Sequence, residues 1–298
     1  MKKQFRGVLA LLGATIIWGS AFISQSIGMD HIEPFTFQAI RSLLAVIGLM
    51  PVIFLLDKRK GDGKTFASRW ADKQLWKAGI LCGIPLFLAC NLQQTGLVDT
   101  DPGKSGFLTA MYIVIVPILG IFLKRKPTIM MPISVLIAVA GLYCISCVGV
   151  PRISTGDLLT IGCAFMFSVQ ILFVDKFAGS VDPLRLNAIQ ALVCSMLSCI
   201  MMVLTEAPTL SGITACALPL AHAGFLSMGA AYALQIIGQK QVEPTAASLL
   251  MSLESVFALL FSMLLLKEPM SPEKAIGCGL MFIAIILSQL PVKQKATT

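Results

Sequence analysis

Charge is scarce in this sequence. Asp, Glu, Lys and Arg make up 13% of its 298 residues and histidine occurs twice, against 56% hydrophobic residues and a mean hydropathy of +0.85. That balance excludes an ordinary soluble domain. His31 and His222 have no partners in sequence, so a metal site is not supported. Long polar stretches are also missing. The one long connection, Asp57 to Gln74, is too short to form a domain, which leaves no room for an extramembrane catalytic module. There is no P-loop, no GxGxxG and no nucleophile motif with a general base, so ATP-driven and cofactor-dependent chemistry have no support and no cofactor is expected.

Apolar runs near twenty residues fill the rest. Ten candidate spans follow, at about 6–27, 34–56, 75–97, 102–123, 128–148, 156–176, 184–205, 214–237, 244–266 and 272–290. The run behind Met1-Lys2-Lys3 could pass for a signal peptide. From Val8 to Ile27 it is longer than a usual signal h-region, and it is kept as a span. The nine cysteines fall within or at the edges of apolar runs, so a disulfide framework is not expected, and Cys144 and Cys147 read as packing.

The net charge of +8 is not a nucleic-acid footprint, because most cations sit between spans, where they set orientation. With the N-terminus inside, eighteen cations lie inside: thirteen in Lys2 to Arg6, Lys58 to Lys77 and Lys124 to Lys126, and five more at Lys176, Arg185, Lys240, Lys293 and Lys295. Four lie outside: Lys104, Arg152, Lys267 and Lys274. Both termini are therefore expected to be cytoplasmic.

The chain repeats itself. Pro102 and Pro127 recur as Pro244 and Pro269, both at a spacing of 142 residues. In that register Gln93 meets Gln235 and Tyr112 meets Glu254. Glu33-Pro34 recurs as Asp182-Pro183 at a spacing of 149, which sets Arg41 opposite Gln190. Two units follow, 1–150 and 151–298, each with five spans. An odd number of spans per unit inverts the second relative to the first, and such folds place their site between the halves. Glu254 sits about 15 Å into its span at about 1.5 Å per residue, near the bilayer midplane. A carboxylate there costs a few kcal/mol and should face protein or a water-filled cavity.

Several segments are similar to one family. Trp18-Gly19-Ser20-Ala21-Phe22 resembles the WG-S-x-F signature of the drug/metabolite transporter superfamily, EamA type, and Arg41-Ser42-Leu43-Leu44-Ala45 its R-F-L-L-A pattern. Ser105 to Thr109 and Tyr112 to Pro117 resemble its fourth-span pattern. Leu253-Glu254-Ser255-Val256-Phe257-Ala258 with Leu266-Lys267-Glu268 resembles its ninth-span pattern. The resemblance covers essentially the whole chain. It implies an all-α integral membrane protein of ten transmembrane helices in two inverted five-helix repeats around a central cavity, moving small metabolites, amino acids or drugs, often outward. Ser42, Ser255 and Gln190 depart from the pattern; Ser255 in place of the common Pro is expected to leave the ninth helix straighter.

Six residues are the candidates for substrate contact: Trp18, Gln93, Tyr112, Tyr232, Gln235 and Glu254. Glu254 suits reversible protonation or pairing with a cation; alternatively it locks two helices by a hydrogen bond. Gln93 and Gln235 suit a polar, zwitterionic solute or, equally, interhelical bonding. The three aromatics could wall a cavity, with Tyr232 closer to an interfacial anchor. Arg41 could hold a carboxylate, but snorkelling or carbonyl capping near the interface is favoured, and Lys104 is expected to be solvated. Gly79-x-x-x-Gly83 and Gly277-Cys278-Gly279 read as packing devices and as a contact through which copies could associate.

The sequence therefore reads as a secondary transporter of amino acids or related polar metabolites in a bacterial inner membrane, an exporter or exchanger working by alternating access, with Glu254 as the candidate coupling group and the proton as the candidate ion. The alternatives are a lipophilic-cation exporter and, further off, an integral-membrane lipid enzyme; the latter expects clustered Asp or His at a membrane face. A channel is disfavoured by the lack of a charge ring or carbonyl filter.

Overall fold

A computed structural model describes residues 2–60, 63–100, 102–124, 130–146, 154–266 and 271–289. Pro127, Cys147, Arg125, Lys126, Arg152, Lys267, Glu268, Pro269, Lys293 and Lys295, together with the 150/151 junction, lie outside these residues.

The described residues form helices α1 (Lys2–Met29), α2 (Pro34–Lys60), α3 (Phe66–Trp70), α4 (Lys73–Gly96), α5 (Pro102–Ala110), α6 (Tyr112–Phe122) and α7 (Met130–Ser146). They continue with α8 (Thr155–Ala178), α9 (Pro183–Thr205), α10 (Leu210–Ala215) and α11 (Ala217–Ala221). A π-helix (His222–Ala231) precedes α12 (Tyr232–Gln239), α13 (Pro244–Met251), α14 (Glu254–Leu266) and α15 (Pro272–Gln289). No strand occurs among the described residues. Among the described residues, eight helical segments are long and apolar enough to cross a membrane, and Met130–Cys144 is a shorter apolar helix. Helix starts follow local chemistry. Asp182 accepts the Arg185 N–H ahead of Pro183, and Ser154 and Asp157 close a capping box.

The polarity is inside out relative to a soluble protein. Large apolar side chains such as Leu136, Val203, Leu204 and Leu264 stand exposed, while Gln38, Gln94, Gln170, Asn187 and Gln190 are fully buried. Backbone groups in lipid must be satisfied within the helix, so polar side chains are free only where they meet one another in the interior.

α2 packs along α9, α4 lies between α8 and α9, α1 crosses α12, α14 and the π-helix, and α7 pairs with α15. Two crossings are very close. A Cβ on Gly96 would lie 2.8 Å from the Gly156 carbonyl, and one on Gly238 would lie 2.9 Å from the Gly7 carbonyl. Gly79 and Gly83 seat α4 on Ile189 and Val193 of α9, and Gly141 lets α7 approach the Gly277 carbonyl of α15. These glycines are intramolecular contacts.

The fourth and ninth spans are interrupted. At Met111 the ladder tightens to Met111 N–H to Leu108 carbonyl, 3.2 Å, and Val114 N–H to Met111 carbonyl, 3.0 Å. At Ser252 and Leu253 it tightens again, with Leu253 N–H to Leu250 carbonyl and Ser255 N–H to Ser252 carbonyl, both 3.2 Å. The expectation of a straighter ninth span is therefore overturned. Ser248 and Ser252 hydroxyls donate back to the Thr245 and Leu249 carbonyls, a contact that bends helices. Ser255 instead donates to the Gly106 carbonyl at 3.1 Å and ties α14 to α5. Tyr112 and Glu254 are the first residues after the two breaks.

Candidate functional site

α2 and α9 are joined at both ends, which fixes the frame around the interior. At the end of α2, Asp57 pairs with the Arg185 guanidinium of α9, with Lys60 at 3.7 Å and Arg69 at 3.6 Å. Asp182 adds bonds to Lys60, 3.1 Å, and Arg185, 3.3 Å. Burial pushes the Asp182 carboxyl up, but the Arg185 backbone N–H and the Lys60 ammonium outweigh it and hold the group below the usual carboxylate range. At the opposite end, the Glu206 carboxylate at the end of α9 accepts the Phe35 and Thr36 N–H groups and the Thr36 hydroxyl, all at 2.7 Å. A carboxylate on a helix N-terminus satisfies orphan donors and complements the dipole.

Between these ends lies a partly open cavity. Trp18, Gln93, Tyr112, Tyr232, Gln235 and Glu254 all line it. The six candidates read from the sequence are thus brought together, from α1, α4, α6, α12 and α14. The Tyr112 hydroxyl donates to Glu254 Oε1 at 3.0 Å, and the Trp18 and Tyr232 rings meet edge to face with centroids 5.0 Å apart. The Tyr232 hydroxyl also lies 3.5 Å from Cys90 Sγ. Gln93 Nε2 donates to Thr109 at 3.0 Å, and Gln235 Nε2 to Gln170 Oε1 at 3.1 Å. Trp18 Nε1 and Gln235 Oε1 have no hydrogen-bond partner among the described residues.

Three further polar residues share the wall: Gln25, Arg41 and Ser227. Arg41 neither snorkels nor caps carbonyls. It is 3% exposed and donates Nε to Gln38 Oε1 at 2.5 Å and Nη1 to Gln25 Oε1 at 2.6 Å. Neither Arg41 nor Glu254 forms an ion pair among the described residues. Phe22 and Gln25 had a legible signal, since with Trp18 they recur at i, i+4 and i+7 on one helical face. Ser227 had none, because it stands on the π-helix, whose register departs from 3.6 residues per turn.

Other expectations fall differently. Lys104 is not a solvated cation: it donates to Asp157 Oδ2 at 2.5 Å, and Asp157 is 2% exposed. Asn91 bonds Ser198 and the Phe87 carbonyl, and Gln94 bonds the Gln25 carbonyl, behind the cavity wall. His222 lies between the Ser20 and Ser24 hydroxyls, at 3.1 and 3.0 Å, and no metal-ligand cluster occurs among the described residues.

Apolar helices turned outward around a buried cavity carrying a guanidinium, a carboxylate and open hydrogen-bonding atoms define a multi-pass α-helical membrane transporter. The chain belongs to the EamA-like transporter family, whose model matches residues 5–147 and 154–290. A protein of Archaeoglobus fulgidus named as an uncharacterized transporter is 29% identical over 296 residues, 97% of this chain and 88% of its own. The uncharacterized transporter YoaV of Bacillus subtilis is 20% identical over 294 residues, 97% of this chain and 98% of its own. One solved crystal structure superposes with a TM-score of 0.77 at 17% identity, over 95% of this chain and 96% of that one, which is a likeness of fold.

Proposed function

We propose that this transporter carries small zwitterionic solutes, amino acids or close relatives, by alternating access at the Arg41–Glu254 cavity. One observation carries the reading. A guanidinium and a carboxylate line the same buried cavity and neither is neutralised by an ion pair among the described residues. A carboxylate-bearing solute can take two parallel bonds from Arg41, and its ammonium can meet Glu254 or the faces of Trp18 and Tyr232. Each buried charge then gains a partner only when solute is bound. Arg41 counts against the lipophilic-cation reading, since a cationic solute would bring like charge beside it.

In this reading residues 1–150 and 151–298 are two inverted five-helix repeats, with α7 and α15 as the fifth and tenth spans. Two contacts support it. Tyr112 bonds Glu254, and Cys90 meets Tyr232, each across 142 residues, the register of the sequence repeat. Contacts between a residue and its own counterpart are what a two-fold axis running by the cavity would produce, and these two pairs support that reading. The two matched family segments agree with the division. The membrane is the bacterial inner membrane with both termini cytoplasmic, following the cation bias, and transport is outward or by exchange.

Glu254 is the candidate coupling group, its proton exchanged against the Tyr112 hydroxyl bond and the bound solute. Exchange and pH-gradient-driven uptake of labelled amino acids in proteoliposomes, with wild type and Glu254→Gln, test this. Accumulation lost with exchange retained in the variant assigns proton coupling to Glu254; equal transport by both proteins removes Glu254 from the mechanism.

A further inference from the structure

Gln235 is the last member of a line of four buried amides. Asn187 Nδ2 donates to the Met228 and Gly229 carbonyls of the π-helix, at 3.1 and 2.7 Å. Gln190 Nε2 donates to Asn187 Oδ1 at 2.8 Å, and Gln170 Nε2 to Gln190 Oε1 at 3.2 Å. Gln235 Nε2 donates to Gln170 Oε1 at 3.1 Å. All four side chains are at most 2% exposed.

A side-chain amide can ordinarily turn over and exchange its donor and acceptor ends. Here the far end forbids it. The Met228 and Gly229 carbonyls only accept, so Asn187 must aim its NH₂ at them, and its oxygen must face Gln190. That fixes Gln190, which fixes Gln170, which fixes Gln235. The oxygen left over, Gln235 Oε1, has no partner among the described residues, on a side chain that lines the cavity. Gln94 and Gln239 also carry partnerless oxygens, but neither lines it.

The first half builds the same step with another outcome. Gln38 and Arg41 stand at a spacing of 149 from Asn187 and Gln190, and Arg41 Nε donates to Gln38 Oε1 just as Gln190 Nε2 donates to Asn187 Oδ1. That line ends in a cation at the cavity, and the second line ends in a neutral acceptor. Both amide lines polarise in one direction, which strengthens each bond.

We infer that Asn187, Gln190 and Gln170 are positioning residues that lock Gln235 as an acceptor, so that the cavity selects solutes presenting an N–H or O–H donor at that point. The inference rests on the zwitterion reading for the choice of solute, although the lock itself does not. A solute without the donor leaves Gln235 Oε1 desolvated and unpaired, and the locked line prevents the amide from turning its NH₂ inward instead.

The test uses labelled L-leucine uptake into proteoliposomes, with unlabelled L-leucine and its N,N,N-trimethyl betaine as competitors. In wild type the betaine, which lacks every N–H, is expected to compete at least tenfold more weakly. Asn187→Leu and Gln170→Met, neither at a cavity-lining position, are expected to bring that ratio to within about threefold of one, because Gln235 can then turn over. A ratio unchanged in both variants overturns the lock. Independently of transport, solid-state NMR of ¹⁵N-glutamine-labelled protein in liposomes, assigned with Gln235→Glu, reads the amide directly. One Gln235 side-chain environment in wild type and two in the variants are expected; two in wild type, or one in all three, overturn the inference. If leucine is not moved by wild type while the NMR result holds, the lock stands and the amino-acid reading falls.

Discussion

The two ends of the α2–α9 pair do one job with different chemistry. At one end a carboxylate, Asp57, meets a guanidinium, Arg185, inside a cluster that also takes in Lys60, Arg69 and Asp182. At the other a carboxylate, Glu206, meets two backbone N–H groups and a hydroxyl at the start of α2. Asp57 and Glu206 are 149 residues apart, as are Thr36 and Arg185, so the positions correspond while the donors do not. A helix N-terminus supplies donors whatever its side chains, so the neutral Thr36 suffices at one end; Arg185 adds a full charge that must be kept paired because it is 2% exposed.

That contrast orders the expected effects. Asp57→Ala leaves Arg185 buried beside Lys60 and Arg69 with Asp182, 3.3 Å away, as its remaining carboxylate, and is expected to cost about 3 kcal/mol, the low end of the range for breaking a buried pair, read as the fall in apparent unfolding temperature in detergent. Retained stability in Asp57→Ala would erase the distinction between the ends. Next is Arg41→Gln, which gives the first half the residue that Gln190 places in the second. Zwitterion transport is expected to fall tenfold or more, about 1.4 kcal/mol or above, measured as initial uptake. Uptake within twofold of wild type would remove Arg41 from solute recognition.

Gly96→Ala and Gly238→Ala press a methyl against the facing glycine carbonyl at each crossing, at an expected cost of about 1–3 kcal/mol by the same melt. Unequal losses would show that one crossing relaxes and the other does not. Glu206→Gln keeps one acceptor oxygen on the α2 N-terminus and should cost about 1 kcal/mol. The smallest effect is that of mild acid. Because the Asp182 carboxyl is held below its ordinary value of 3.8, its share of the Lys60 and Arg185 bonds is present above that value and is lost only as pH falls through the lower folded-state one. The melt should therefore not change on account of Asp182 between pH 7 and pH 5.

Much of this was legible before any coordinates. Trp18, Gln93, Tyr112, Tyr232, Gln235 and Glu254 could be chosen by depth and register because lipid makes every polar residue in a span conspicuous, and the structure places all six around one cavity. Their role in binding is the proposal above. Arg41 was misread because its partners, Gln25 on the preceding helix and Gln38 one turn back, decide whether it reaches outward or inward. Lys104 was misread for the same reason: its partner, Asp157, lies 53 residues further on. The break at Ser252 and Leu253 and the π-helix are departures from helical period, and hydropathy carries no mark of them.

Under the two-repeat proposal, the bond between Tyr112 and Glu254 has a consequence for how such a chain can arise. A position that meets its own counterpart must, in two identical separate chains, be compatible with itself. Two glutamates facing each other at that depth would repel, and two tyrosines would supply no titrating group. Joined in one polypeptide, the two copies are free to diverge, one becoming the phenol and the other the carboxylate. In the two-repeat reading proposed above, fusion does more than hold two bundles together: it permits a dissimilar pair where a homodimer admits only a matched one.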